Sequence, residues 1–185
     1  MRIVGGNHKG LALAGPKSEA IRPTSDRTRE ALFNILAHGV EDFELEGARV
    51  LDLFAGTGAL GLEALSRGAA FVMFIEEAAS ARALIRQNVE AMGATGVSKI
   101  WRRDALNLGK LQGISPFDLV FADPPYNKGL GEKALLSAAE NAWLSPSALC
   151  VVEEAAKAEI EVPSGFKLLD KRRYGDTQVL FLRRD

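Results

Sequence analysis

The fold of this 185-residue chain is decided by the stretch DLFAGTGALG at residues 52–61. It ends an apolar run at residues 49–54 and opens a segment with helical spacing at residues 59–67. A glycine turn between a strand and a helix leaves backbone N–H groups and the helix dipole available to a ligand. The spacing Gly56-x-Gly58-x-x-Gly61 therefore predicts a small-cofactor site in an α/β fold.

Short apolar runs alternate with helical patterns beyond this loop, which is typical of a mostly parallel sheet with helices on both faces. The predicted strands are 49–54, 71–76, 99–103, 117–122 and 148–153, and the predicted helices are 59–67, 79–92 and 131–144. Residues 166–169 and 177–182 flank a turn signal and predict an antiparallel hairpin at the edge of the sheet. The predicted fold class is therefore α/β, Rossmann-like, with a C-terminal antiparallel hairpin.

The residues before the sheet predict a small extension. Residues 2–4 and 11–13 flank a Gly/Asn/Lys-rich stretch and predict a basic β-hairpin, and residues 25–37 have the spacing of an amphipathic helix. No repeat or low-complexity linker separates them from the sheet. We expect residues 1–40 to be an appendage of one catalytic domain at residues 41–185.

The net charge of −1 conceals two basic ends. Residues 1–30 and residues 167–185 each contain six Lys or Arg and three Asp or Glu. Such basic edges suit phosphate binding, although ordinary solubilising charge explains the counts equally well. No apolar run is long enough to span a bilayer and the N-terminus lacks a signal-peptide pattern, so we expect a cytoplasmic protein without membrane partners. A single cysteine, Cys150, and two histidines predict no metal site.

Acidic residues around the glycine loop indicate which cofactor it binds. Asp52 lies inside the motif, where a carboxylate would repel a pyrophosphate but can accept hydrogen bonds from the ammonium group of S-adenosylmethionine. Glu76 ends the second strand and is placed to hold a ribose hydroxyl pair, with Glu77 as an alternative that strand alternation does not settle. Asp104 follows the third strand, where such folds contact an adenine amino group. The sequence therefore favours an S-adenosylmethionine site over the structural alternative, in which the glycines only make a tight turn and the acids are solvated.

The segment Asp123-Pro124-Pro125-Tyr126 ends the fourth predicted strand, at the edge where open α/β sheets bind ligands. Because proline has no N–H, the carbonyls around Pro124 and Pro125 are free to act, with the Asp123 carboxylate, as acceptors for an NH2 group. Tyr126 offers a ring on which an extruded base can stack. The segment predicts methylation of an exocyclic amine of a nucleobase, with a strand-ending turn and a core tyrosine as the structural alternative.

Together these motifs resemble the bacterial 16S ribosomal RNA (guanine-N2) methyltransferases of the RsmD type. The matching segments are Arg2–Gly6 with Lys9-Gly10, Arg22–Leu36, Asp52–Gly61 and Asp123–Tyr126, which together extend over nearly the whole chain. The second segment is the most specific, since Asp-Pro-Pro-Tyr alone is shared with DNA adenine and protein glutamine methyltransferases. Family members often carry an acid where this chain has Ala78, which leaves Glu76 as the favoured ribose ligand.

The resemblance implies a class I methyltransferase fold and, as partner, 16S ribosomal RNA within an assembling small subunit. It implies catalytic roles for Asp123, Pro124, Pro125 and Tyr126. The implied cofactor-binding residues are Thr24, Asp52, Phe54, Ala55, Gly56, Thr57, Gly58, Glu76, Asp104, Ala105 and Asp123. The implied substrate-binding residues are Arg2, Lys9, Arg22, Arg27, Arg29 and Tyr126. Thr24, Arg27 and Arg29 would lie over the cofactor and substrate entrance, and the basic hairpin would contact RNA.

Three other functions stay open from the sequence. The nearest is the same chemistry on adenine N6 of DNA or on another RNA, although 185 residues leave little room for a recognition domain. A nicotinamide-dependent oxidoreductase fits the glycine spacing but lacks a plausible catalytic tyrosine–lysine pair or histidine. A non-enzymatic RNA-binding module with a vestigial pocket is the third.

Overall fold

A computed structural model describes residues 1–17 and 24–185 of the chain. The α-helices in this part are α1 (Asp26–His38), α2 (Ala59–Ser66), α3 (Ala79–Met92) and α4 (Leu130–Glu140). The strands are β1 (Arg49–Leu53), β2 (Phe71–Ile75), β3 (Ser98–Trp101), β4 (Phe117–Ala122), β5 (Leu144–Ala155), β6 (Phe166–Tyr174) and β7 (Thr177–Arg184). None of the helices in these described ranges is long and apolar enough to cross a membrane.

The seven strands form one sheet in the order β3-β2-β1-β4-β5-β7-β6. Strands β1 to β5 are parallel, and β7 is antiparallel to both β5 and β6. Leu53 at the end of β1 is in register with Ile75 of β2 and Ala122 of β4. The segments that follow these three strands therefore start at the same level of one sheet edge. The predicted fold class and the C-terminal hairpin are confirmed.

Several element boundaries differ from the prediction: β5 already begins at Leu144 and β6 extends to Tyr174, and α4 and β3 end early. Aromatic packing explains the early end of α4. The helix predicted over 131–144 ends at Glu140, and Ala142 adopts a backbone φ of 65° that a helix cannot continue through. Trp143 is then fully buried, 5.8 Å from the Trp101 ring centroid and 6.1 Å from that of Phe117. The third strand ends at Trp101, two residues earlier than predicted.

Apolar side chains cover both faces of the sheet. On one face, alternate strand residues pack against α1, α2 and α3, with Phe33 lying 5.6 Å from Phe121 between ring centroids. On the other face, residues such as Leu51 and Val120 pack with α4 and the aromatic group around Trp143. Burial on both faces explains why the central strands read as nearly continuous apolar runs.

The N-terminal extension packs on α2 through a buried carboxylate. The predicted hairpin is a short one, in which the Ile3 N–H donates to the Leu11 carbonyl (2.9 Å) and a single β-bridge joins Arg2 to Ala12. The Glu63 carboxylate of α2 accepts hydrogen bonds from the N–H groups of Val4 (2.9 Å) and Gly5 (3.0 Å) in the hairpin. The extension is thus tied to the helix that follows the glycine loop.

Candidate active site

The glycine loop turns sharply between β1 and α2. Phe54, Gly56 and Gly58 all have left-handed backbone, with φ of 56°, 58° and 80°. The turn is closed by a hydrogen bond from the Gly58 N–H to the Ala55 carbonyl (2.8 Å). Glycine supplies this conformation without strain, whereas Phe54 holds it at a cost that the surrounding structure must offset.

Asp52 supports the loop from inside. It is 1% exposed, and its Oδ2 accepts a hydrogen bond from the Gly61 N–H at the start of α2 (3.0 Å). Burial raises the pKa of Asp52 well above its usual value, and the charges of Glu76 and Glu153 add to the increase, against the Gly61 hydrogen bond. A cationic group bound beside Asp52 would favour its ionised form.

Gly61 and Asn88 fix the loop against β2 and α3. A Cβ on Gly61 would lie 2.5 Å from the Phe74 ring and 2.7 Å from Val72, so only glycine allows α2 to approach β2 this closely. Asn88 is buried, and its Nδ2 donates to the Thr57 carbonyl (3.0 Å) and to the Ala14 carbonyl (3.0 Å). The loop and the N-terminal extension therefore share one anchor.

Of the two candidate ribose ligands, the structure brings Glu76 to the loop. Its Oε2 accepts a hydrogen bond from the Gly56 N–H (2.8 Å) and its Oε1 from the Ala78 N–H (3.1 Å). Glu77 is exposed. On the far side, Asp104 is exposed, and its Oδ1 accepts from the Leu106 N–H (2.9 Å). The intervening Ala105 is 4% exposed.

The Asp-Pro-Pro-Tyr segment follows β4 directly. Asp123 is partly exposed, Pro124 is buried and Pro125 is exposed. Tyr126 is 37% exposed, and its hydroxyl lies 3.2 Å from the Thr177 Oγ1 at the start of β7. Burial and the nearby carboxylates raise the pKa of Tyr126 to about 12, against the hydrogen bond with Thr177, so the phenol is neutral at physiological pH. An accessible ring beside the acceptors of Asp123 is suited to stacking a flat base.

A second carboxyl group, Glu153 of β5, lies behind Asp123 and was not predicted. It is 3% exposed, and the Thr24 Oγ1 lies 3.0 and 3.2 Å from its two oxygens and 3.5 Å from the Asp123 Oδ2. Burial raises the pKa of Asp123 well above its usual value, and the Glu153 charge and hydrogen bond raise it further. The available sequence signal was Glu153-Glu154, two acids within an otherwise apolar strand.

The site is strongly acidic. Four carboxyl side chains converge from the ends of four adjacent strands: Asp52 (β1), Glu76 (β2), Asp123 (β4) and Glu153 (β5). Such a pocket suits a ligand with cationic groups and repels a pyrophosphate, because like charges in a buried site are costly. Over residues 1–17 and 24–185, no group of three or more His, Cys, Asp and Glu is arranged to hold a metal ion.

The basic residues expected at the substrate entrance fall into three groups: exposed residues, one residue outside the described ranges and one buried residue. Arg2, Lys9 and Arg27 are exposed, and Arg2 makes a long ion pair with Asp26 (3.7 Å). Arg22 lies outside the described residues.

Arg29 is fully buried, which corrects the expectation that it contacts the substrate. Its guanidinium pairs with Glu63 (3.2 Å) and Asp26 (2.7 Å) and donates to the carbonyls of Arg2 and Thr24. Every side of the guanidinium is therefore engaged within the protein. Arg29 therefore ties the hairpin at Arg2 and the segment at Thr24 to α1 and α2.

The strand order and the acidic glycine loop define a class I methyltransferase fold. The chain belongs to the family described as Conserved hypothetical protein 95, whose model matches residues 1–183.

Individual relatives extend over nearly the same length. The chain is 36% identical over 186 residues to "Ribosomal RNA small subunit methyltransferase D" of Escherichia coli (strain K12), with 100% of this chain and 90% of that protein covered. It is 35% identical to the Haemophilus influenzae protein of the same name, with 95% of this chain and 89% of that protein covered. The solved structure of Escherichia coli yhhF superposes with a TM-score of 0.84 at 33% identity, covering 100% of this chain and 98% of that one.

Proposed function

We propose that the chain transfers a methyl group from S-adenosylmethionine to the exocyclic N2 amine of a guanine in small-subunit ribosomal RNA. The observation that carries this proposal is the position of Asp123-Pro124-Pro125-Tyr126. It starts level with the glycine loop, at the adjacent ends of β4 and β1, so an amine bound there would lie beside a cofactor held by the loop.

The acidic residues fit S-adenosylmethionine. The cofactor supplies an electrophilic methyl group on a sulfonium, and its methionine part carries an ammonium. Asp52 and the N–H groups of the glycine loop would hold the methionine end, and Glu76 would exchange its bond to the Gly56 N–H for the ribose hydroxyls. Asp104 and Ala105 would border the adenine. The same carboxylates oppose a pyrophosphate, which argues against a nicotinamide cofactor.

The segment after β4 supplies acceptors for the amine. The Asp123 carboxylate and the carbonyls around the two prolines would bind both hydrogens of an NH2 group and orient its nitrogen toward the methyl group. Tyr126 would stack on the base, a contact worth about 1–3 kcal/mol. This arrangement requires a base that is extruded or unpaired.

RNA as the substrate class is supported by the relatives' names and by the position of the two basic ends. Thr24, near the basic N-terminal segment, lies within 3.5 Å of Asp123, and Thr177 at the tip of the basic β6–β7 hairpin lies 3.2 Å from Tyr126. Part of each basic end therefore lies at this edge of the sheet, whereas Arg183 and Arg184 lie at the opposite end of β7.

The exposed side chains of Arg2 and Arg27 near this edge would bind phosphates beside the target base. Lys9 lies toward the far end of α2, where the N–H of the neighbouring His8 donates to Ser66 Oγ, so its contact with RNA would be farther from that base.

Calorimetric titration of the chain with S-adenosylmethionine and, separately, with NAD tests the cofactor part of this proposal. We expect binding of S-adenosylmethionine and none of NAD, and we expect Asp52→Asn to weaken the former. Binding of NAD alone would instead support an oxidoreductase.

A further inference from the structure

Asp123 and Glu153 form a pair with unequal access to a substrate. Asp123 follows β4 and is partly exposed at the pocket, whereas Glu153 lies behind it on β5 at 3% exposure. Ala122 and Val152, which precede them, are in register, so the two carboxyl groups are neighbours, and the Thr24 hydroxyl lies within 3.5 Å of both. A substrate amine can therefore reach Asp123, and Glu153 can act only through it.

The geometry of the pair favours a proton on one of its carboxyl groups. Two ionised carboxylates are acceptors only, and as neighbours in a buried site they repel each other unless one is protonated. The Thr24 hydroxyl has a single hydrogen for both carboxyl groups, and its Oγ1 lies 3.0 Å from Glu153 and 3.5 Å from Asp123, so it compensates neither of them fully. A proton would relieve the charge of the pair, and Asp123, whose pKa burial and Glu153 raise, is the member that would hold it.

Few charges nearby offset the pair. The ionisable groups facing it are Asp52 from β1, Arg29 from α1 and Tyr126 from the loop after β4. Asp52 adds negative charge. The Arg29 guanidinium is shared with Glu63 and Asp26, so it compensates the pair only in part. The proton is therefore the main means by which the buried pair limits its charge.

We propose that Glu153 is a positioning residue that gives Asp123 its high proton affinity, so that Asp123 takes up the proton released by the methylated amine. This inference rests on the proposed function. The lone pair of the acceptor nitrogen forms the new N–C bond, and the S–C bond breaks with its electron pair kept by sulfur. The proton lost by the nitrogen passes to the Asp123 carboxylate, where Glu153 accepts its hydrogen bond, and it leaves to water after the product departs.

Glu153→Gln tests the inference because glutamine keeps an oxygen for the Thr24 hydroxyl and removes only the charge. The first readout uses the ligand-free chain: the Asp123 carboxyl carbon is followed by 13C NMR against pH, with Asp123→Asn giving its assignment. In the wild type, burial first and Glu153 second raise the pKa of Asp123, so its midpoint lies above the ordinary value of about 3.9. The midpoint moves to lower pH in Glu153→Gln.

The second readout is the pH profile of kcat for methyl transfer. Asp123 must be ionised to accept the proton, so the acid limb follows its pKa and moves to lower pH in Glu153→Gln. The plateau falls about tenfold because the remaining base is weaker. Glu154→Gln is the matched control. Glu154 is equally buried at the next position of β5, and its Oε1 accepts a hydrogen bond from the Asn127 N–H (2.9 Å). We expect the NMR midpoint of Asp123 and the acid limb of the kcat profile to stay at their wild-type pH in this variant.

Thr24→Val provides a second variant if Glu153→Gln does not fold. The Thr24 hydrogen bond lowers the pKa of Asp123, so its loss moves the NMR midpoint to higher pH. An Asp123 midpoint at the ordinary value in the wild type, or one that Glu153→Gln leaves unmoved, overturns the inference. A wild-type chain that transfers no methyl group to RNA overturns the proposed function instead. The NMR midpoints of Asp123 in the ligand-free wild type and Glu153→Gln then test the role of Glu153 independently.

Discussion

At the scale of single residues, the site concentrates features that cost stability. Phe54 holds a left-handed backbone, and such a residue costs about 1–3 kcal/mol where glycine would not. Asp52, Asp123 and Glu153 are carboxyl groups whose pKa values are raised chiefly by burial. Nothing in the packing of a sheet requires acids at these positions. Under the proposed function they would serve a cationic cofactor and an amine at the edge where β1, β4 and β5 end.

Asp123→Ala separates chemistry from cofactor binding. The variant loses the acceptor that orients the amine and takes its proton, so kcat for methyl transfer falls by at least about 100-fold. Removing one of several carboxylates leaves S-adenosylmethionine binding largely intact. Single-turnover transfer and calorimetric titration measure the two properties. An equal collapse of cofactor binding would mean that Asp123 has been given the wrong role.

Gly61→Ala tests the close approach of α2 to β2. The added methyl group would lie 2.5 Å from the Phe74 ring and 2.7 Å from Val72, so we expect the free energy of unfolding to fall by about 1–3 kcal/mol. Gly96→Ala is the control, since a Cβ there meets nothing within 4 Å. Urea denaturation measures both. Equal stability of the two variants would contradict the packing described for α2.

At the scale of elements, the sequence predicts best what local pattern determines. The central strands are predicted by their apolar runs, and the glycine loop is predicted by the spacing of its glycines between a strand and a helix. Glu153 was missed because its role depends on Asp123 and Thr24, which are distant in sequence and meet only when β4, β5 and the start of α1 pack. Arg29 was assigned to the surface for the same reason, since its partner Glu63 lies 34 positions away.

Glu63→Ala tests how the extension is attached. Glu63 is fully buried, pairs with Arg29 and Arg67, and accepts two backbone N–H groups of the hairpin. Its removal leaves Arg29 buried beside an empty space, so we expect a loss of about 3–5 kcal/mol in the free energy of unfolding. Hydrogen exchange should show faster exchange of the Ile3 and Leu13 N–H groups.

The exposed pair of Arg172 and Asp170 gives the control for Glu63. Its side chains are 55% and 37% exposed, so Asp170→Ala should cost no more than about 1 kcal/mol. A Glu63→Ala variant as stable as Asp170→Ala, with hydrogen exchange unchanged in the hairpin, would show that the extension is held by other contacts.

At the scale of the whole molecule, the sheet order brings distant segments to one edge. The strand ends carry the acids, while Thr24 and Thr177, one from each basic end of the chain, reach the same edge. A nearly neutral chain thus presents an acidic pocket for a cationic cofactor beside basic segments suited to RNA. The division at residue 40 into an appendage and a catalytic domain stays a prediction.

The central claim is tested most directly by incubating the chain with methyl-labelled S-adenosylmethionine and 30S particles that lack their methylations. The digested RNA is then resolved into nucleosides, with Asp123→Ala as the inactive control. We expect the label in N2-methylguanosine, which identifies the donor, the substrate class and the acceptor atom at once. Label in N6-methyladenosine, or no label in RNA from a chain that binds the cofactor, would contradict the claim and direct attention to other RNAs, DNA or protein amides.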